Sequence, residues 1–135
     1  NSRWLVEGCT FDMALGGAAS AINMDADTDK LTIRKNVIRG DYSIGNIIGS
    51  TALSTNLDID NNLLENGDGS NLGAQPCIDL VGINSTGTIR NNYIVCNVGT
   101  KAASIVAAQC FLFENYYNED ITGTGGLIGT VSADD

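Results

Sequence analysis

The 135-residue chain contains no histidine, one proline, one tryptophan and seven basic residues against sixteen acidic ones. Without histidine there is no imidazole base, so Ser-His and Cys-His nucleophile systems are excluded. The net charge of −9 speaks against direct nucleic-acid binding, which needs clustered Lys and Arg to neutralise phosphates. No apolar run is long enough for a membrane helix, so none is expected, and no signal-peptide pattern opens the chain. The first residue is Asn, as in a processed chain or a piece of a longer one. The four cysteines (Cys9, Cys77, Cys96 and Cys110) show no C-x-x-C spacing. Buried free thiols are expected of them, with one disulfide as the competing reading and no support for a zinc site. With 43% hydrophobic residues the chain can build one narrow, continuous core, and a single domain over 1–135 is expected.

What is present is a repeat. TIRNNYIV (Thr88 to Val95) carries two adjacent asparagines in a largely apolar run, although asparagine is depleted in strands. RWLVEGCTFD from Arg3, KLTIRKNVIRG from Lys30 and NLDIDNNLLENG from Asn56 align with it. The marker positions, Cys9, Asn36, Asn62 and Asn92, follow one another at nearly even spacing. A fifth copy, CFLFENYYNED from Cys110, supplies Asn115 after a slightly shorter step. Five such copies account for almost the whole chain.

The aligned columns have period two. Trp4, Leu31, Leu57, Gly87 and Phe111 form one inward column and Val6, Ile33, Ile59, Ile89 and Phe113 another. Leu5, Thr32, Asp58, Thr88 and Leu112 point outward, as do Glu7, Arg34, Asp60, Arg90 and Glu114. The last column alternates in sign, as expected if successive copies lie side by side as parallel strands about 4.8 Å apart. The marker asparagines are then expected to turn the chain and to hydrogen-bond to one another along the stack. Cys9 interrupts that ladder, and Asn115 sits one position early if Phe113 and Glu114 keep their columns. Either the fifth copy is one residue short or the alignment slips there.

A second apolar strand follows each marker: AINMD from Ala21, NIIGS from Asn46, CIDLV from Cys77, SIVAA from Ser104 and GLIGT from Gly126. Segments rich in Gly, Ser, Asn and Ala separate the strands and read as turns. Short strands at this period, without a helical pattern, describe a winding chain of stacked parallel sheets.

In these residues the chain resembles the right-handed parallel β-helix family, found in pectin-degrading enzymes and in bacteriophage tailspikes and other virion proteins. The resemblance implies an all-β, single-stranded solenoid of about five coils, and the absent histidine departs from the polygalacturonase-like branch. The closing run CFLFENYYNED with GGLIG is similar to small β-helix proteins encoded among bacteriophage structural genes. That similarity implies a virion location, partners in the major capsid protein or another virion protein, and self-association as a homotrimer.

Chemistry is tested residue by residue. Asp58, Asp60, Asp79, Glu65 and Asp68 could supply a carboxylate pair for glycoside cleavage, yet three of them lie in turns or in the charge column and no aromatic platform accompanies them. No catalytic residue is assigned. DADTDK, Asp25 to Lys30, resembles a calcium loop but has Lys30 and Asn36 where Gly and Glu are needed, so its aspartates are expected to cap a turn. Asn84-Ser85-Thr86 fits a glycosylation sequon by its three positions only. No cofactor or metal is expected. The reading is a non-enzymatic capsid decoration or cement protein. The alternatives are a tailspike-type module for a bacterial surface glycan and a carbohydrate-active β-helix unrelated to phage. A glycan binder should show solvent-facing aromatics, for which only Tyr42, Tyr93, Tyr116 and Tyr117 qualify.

Overall fold

Alternating apolar and polar residues, broken every few positions by a turn, give strands too short to stand alone, so their stability depends on lateral pairing. A computed structural model describes residues 2–13, 20–24, 27, 29–42, 47–50, 56–67, 76–80, 85–96, 103–104, 109–117 and 121–122. Among these residues there is no helix. The strands are β1 (Arg3–Glu7), β2 (Thr10–Met13), β3 (Ile22–Met24), β4 (Lys30–Arg34), β5 (Val37–Gly40), β6 (Ile48–Ser50), β7 (Leu57–Asp60), β8 (Leu63–Asn66), β9 (Ile78–Asp79), β10 (Thr86–Arg90), β11 (Tyr93–Cys96), β12 (Ala103–Ser104), β13 (Gln109–Phe113), β14 (Tyr116–Tyr117) and β15 (Ile121–Thr122).

Every third strand joins the same sheet. The first sheet has the order β1-β4-β7-β10-β13, the second β2-β5-β8-β11-β14 and the third β3-β6-β9-β12-β15. All pairings are parallel and in register between successive repeats. Each repeat thus contributes one tier of three strands. Inward residues of all three sheets, among them Ile33, Ile59 and Ile89, Ile38, Leu64 and Ile94, and Ile48 and Ile78, form one buried cluster.

Three expectations are corrected. Each repeat holds three strands rather than two, because the strand directly after the marker belongs to a separate sheet. In the fifth tier the alignment slips by one residue: Leu112 pairs with Ile89, Phe113 with Arg90 and Phe111 with Thr88. Leu112 is therefore buried and Phe111 exposed, the reverse of their expected columns, and Glu114 leaves the charge column to Phe113. The fifth strand of the third sheet is Ile121–Thr122, whereas GLIGT lies outside the described residues.

The corner between the first and second sheets explains the paired asparagines. Gly8, Lys35, Asn61, Asn91 and Glu114 occupy equivalent positions with φ of 66°, 56°, 55°, 55° and 55°. This left-handed conformation suits Gly and Asn and redirects the chain within two residues. The residue after it is the ladder position. Asn36 donates from its main-chain N and its Nδ2 to Asn62 Oδ1, both at 3.0 Å. Asn62 makes the same two bonds to Asn92 Oδ1 (3.0 and 2.9 Å), and Asn92 makes them to Asn115 Oδ1 (3.0 and 2.9 Å). The other amide hydrogens of Asn36, Asn62, Asn92 and Asn115 go to the carbonyls of Val6, Ile33, Ile59 and Ile89. Asn115 sits in the ladder because of the slip, and Cys9 enters it only through its main-chain N–H, which donates to Asn36 Oδ1 at 2.9 Å.

Gly87 breaks its apolar column for a local reason. Its φ is 144°, and a Cβ there would collide with the carbonyl oxygen of Leu57. No other residue fits.

Candidate functional site

The outward faces carry the charged side chains. On the first sheet Arg34 grips Glu7, with Nη2 donating to Oε2 at 3.1 Å and Nε lying 2.9 Å from Oε1, while Lys35 Nζ is 3.8 Å from the same carboxylate. The hydrogen bond from Arg34 holds the Glu7 carboxyl below the usual range, and the positive charges of Arg34 and Lys35 act in the same direction, against desolvation. Arg90 Nε lies between Asp58 and Asp60, at 3.7 and 3.6 Å. The expected alternation therefore holds for four tiers and ends at Phe113.

A second alternating column, Asp12, Arg39 and Glu65, runs along the second sheet in register, with Arg39 Nε 3.4 Å from Glu65 Oε2. It is hidden in the sequence because alternation alone does not separate the strands that carry it from the first sheet. Of the five carboxylates weighed for glycoside cleavage, Asp58, Asp60 and Glu65 are engaged by arginines on two different sheets. Asp79 is half-buried on the third sheet, and Asp68 lies outside the described residues. Asp58 and Asp60 converge on the same arginine, Arg90. Asp29 of the DADTDK stretch donates its N–H to Ser2 O at 3.1 Å. Asp25, Ala26 and Thr28, like Asn84 of the sequon, lie outside the described residues. Among the described residues no cluster of three metal-ligating side chains occurs.

Of the four tyrosines, Tyr42 and Tyr117 are buried, and Tyr93 and Tyr116 are exposed neighbours in an outward column of the second sheet. Their rings are parallel, with centroids 4.4 Å apart and planes 4° apart. One face of each ring is therefore spent on the other. Repulsion from Tyr116 is the main cause of a raised Tyr93 phenol pKa.

The cysteines divide by tier. Cys9 is exposed rather than buried, with its thiol donating to Glu7 O at 3.4 Å. Cys77 and Cys110 are buried, with their thiols donating to Val95 O at 3.5 Å and Ser85 O at 3.8 Å, and burial raises the Cys110 pKa to about 11. At the corner after β5, Asp41 is fully buried, and neither of its carboxyl oxygens has a hydrogen-bond partner among the described residues. The buried Tyr42 hydroxyl is also unpartnered.

Apolar residues are exposed at the outer side of the first tier. Among the described residues β1, β2 and β3 each pair with a neighbour on one side only. Trp4 keeps the expected inward register, opposite Leu31; yet it is 63% exposed, against 4% for Leu31. Met13 is also exposed and the outward Leu5 is 59% exposed, while Val6, Phe11 and Ile22 are only half-buried. The apolar core is open at this end because no further tier of described residues supplies the contacts that each lower tier receives. The chain matches no protein-family model, no curated protein and no solved structure.

Proposed function

We propose that the three sheets are the walls of a right-handed parallel β-helix of five coils, and that the chain is a non-enzymatic capsid decoration or cement protein. In this reading it sits on a virion as a homotrimer against the major capsid protein or another virion protein. The observation that carries it is apolar surface on the outward faces of the sheets, where Leu5, Tyr93, Phe111 and Tyr116 are exposed. A protein in water gains by covering such a surface. The hydrogen-bonded asparagine ladder supports the same reading, because a covering protein has to hold its shape. Binding only the assembled particle would add stability to both partners by mass action.

The test is the solution mass of the isolated chain together with its effect on the heat resistance of the particle. A trimer that raises the inactivation temperature is expected. A stable monomer that leaves capsids unaffected and releases sugars from bacterial polysaccharide would overturn the reading. It would promote the tailspike-type glycan module, which the exposed Tyr93 and Tyr116 favour. The mutual stacking of those rings narrows the platform that a sugar could use.

A further inference from the structure

We infer that Tyr93 and Tyr116 form an oxidative cross-linking site, at which a haem peroxidase using hydrogen peroxide couples the two phenol rings into a dityrosine that joins neighbouring tiers covalently. The inference goes beyond the surface-covering reading and does not rest on it.

Radical coupling of two tyrosines needs phenols that an oxidant can reach, with the ring carbons next to each hydroxyl lying side by side. Both conditions hold in this pair. Tyr93 and Tyr116 oppose each other in register on β11 and β14, and both are exposed. Their ring centroids are 4.4 Å apart and their planes 4° apart, so carbon atoms of the two rings lie near van der Waals contact. Tyr116 also acts on the Tyr93 phenol through a side-chain hydrogen bond, which draws the hydroxyl ends together and with them the ring carbons that couple.

The other oxidisable rings are placed differently. Tyr42 and Tyr117 are buried, and Tyr117 pairs with Ile94 rather than with a phenol. Trp4 is exposed but lies on β1, in a different sheet. On its other side Tyr93 meets Leu63. A radical on Tyr93 therefore has one cross-strand phenol neighbour among the described residues, and that is Tyr116.

The chemistry balances. Each phenol gives up one electron and one proton and becomes a phenoxyl radical. The two radicals join through the carbons ortho to oxygen, and the hydrogen on each of those carbons moves to its own oxygen and restores the phenol. Two hydrogens thus leave the protein as two protons and two electrons, which reduce one hydrogen peroxide to two waters. The new carbon–carbon bond closes the loop between residues 93 and 116 and constrains the unfolded chain as a disulfide would.

The test treats the intact chain with a haem peroxidase and hydrogen peroxide, after alkylation of the exposed Cys9 thiol, which would otherwise compete for the oxidant. Trypsin cuts after Arg90 and Lys101, which puts Tyr93 in the peptide 91–101 and Tyr116 in the peptide 102–135. The expected product is a single chain lighter by two hydrogens, with those two peptides joined and a yield that does not change on dilution. Tyr93→Phe and Tyr116→Phe each keep a stacked ring and should abolish the link, whereas Tyr117→Phe should leave it intact. The linked chain should melt at a higher temperature than the unlinked one.

The proposal is overturned if the link depends on Tyr117, or if the product is a covalent dimer. It is also overturned if Trp4 and Met13 are oxidised while the two tyrosine peptides stay separate. A link that lowers the melting temperature would show that the rings must leave their tiers to react, and would overturn it as well.

Discussion

The second, third and fourth tiers and the first tier are built from nearly the same pattern and reach opposite outcomes. Ile33, Ile59 and Ile89 have no exposed surface, while Val6 in the same column is half-buried. Leu31 and Leu57 are 4% and 1% exposed, while Trp4 in their column is 63% exposed. In a parallel stack a side chain is buried by the tiers on both sides of it as much as by its own inward direction. Burial is therefore a property of position along the stack as well as of alternation.

The largest expected difference between the two regions is in cavity cost. Ile59→Ala should cost about 2–5 kcal/mol, because the neighbouring tiers cannot collapse into the hole. Val6→Ala, at the open end, should cost about 1 kcal/mol or less, since its surroundings can relax or hydrate. Denaturant unfolding of both variants checks this, and equal losses would mean that the first tier is covered.

Next come the buried polar groups, which differ in the same instructive way. The Asn62 side chain satisfies its neighbours completely, so Asn62→Ala should cost about 2–4 kcal/mol by leaving Asn36 N–H and Ile33 C=O without partners. The Asp41 carboxyl has two buried oxygens without a partner among the described residues. Asp41→Leu should therefore raise the melting temperature, by an amount equivalent to about 1 kcal/mol or more, by replacing two buried oxygens that have no partner among the described residues with an apolar side chain. A loss of stability instead would assign the Asp41 carboxylate a bound partner in solution.

How much of this is legible in the sequence follows from what a repeat preserves. A column keeps residue type at fixed spacing, so the Ile59 and Asn62 columns and the charge alternation can be read before any strand is placed. The middle strand cannot, because Lys35-Asn36 turns the chain in two residues and leaves TIRKNVIR looking like one run. The slip in the fifth tier hides for a related reason. Phe111, Leu112 and Phe113 are all apolar, so period two gives no phase there, and only the asparagine at position 115 marks the true register. The open end is half visible: alternation points Leu5 outward and puts Trp4 in its correct column. Whether a tier lies above it is not encoded in alternation.

Converting the first tier to the chemistry of the lower ones gives a smaller effect. Gly8 has the same left-handed turn as its counterparts, and Cys9 already donates its N–H to Asn36 Oδ1. Cys9→Asn should therefore add one amide hydrogen bond and gain about 0.5–1.5 kcal/mol in thermal or denaturant unfolding. A loss would mean that the first corner departs from the others in its side-chain space.

The smallest and most condition-dependent effect concerns the charge column, where the middle and the end differ in the number of partners. Asp60→Lys would place three positive charges in succession at Arg34, position 60 and Arg90, in register on adjacent strands. The expected loss is roughly 0–1 kcal/mol at low salt, because these side chains are partly exposed and screened. It should shrink as salt rises, and an unchanged melting temperature at low ionic strength would show that the column is not electrostatically coupled. Glu7 gives the end-tier counterpart through pH. Its folded pKa is lowered from 4.5, chiefly by the Arg34 hydrogen bond, so its contribution is present above that value and is lost as pH falls through the lower folded pKa. Glu7→Gln should flatten the acid limb of the stability profile through a small loss at neutral pH, with the two proteins converging below the folded pKa. An acid limb identical in the two proteins would mean that the Glu7–Arg34 pair does not persist in solution.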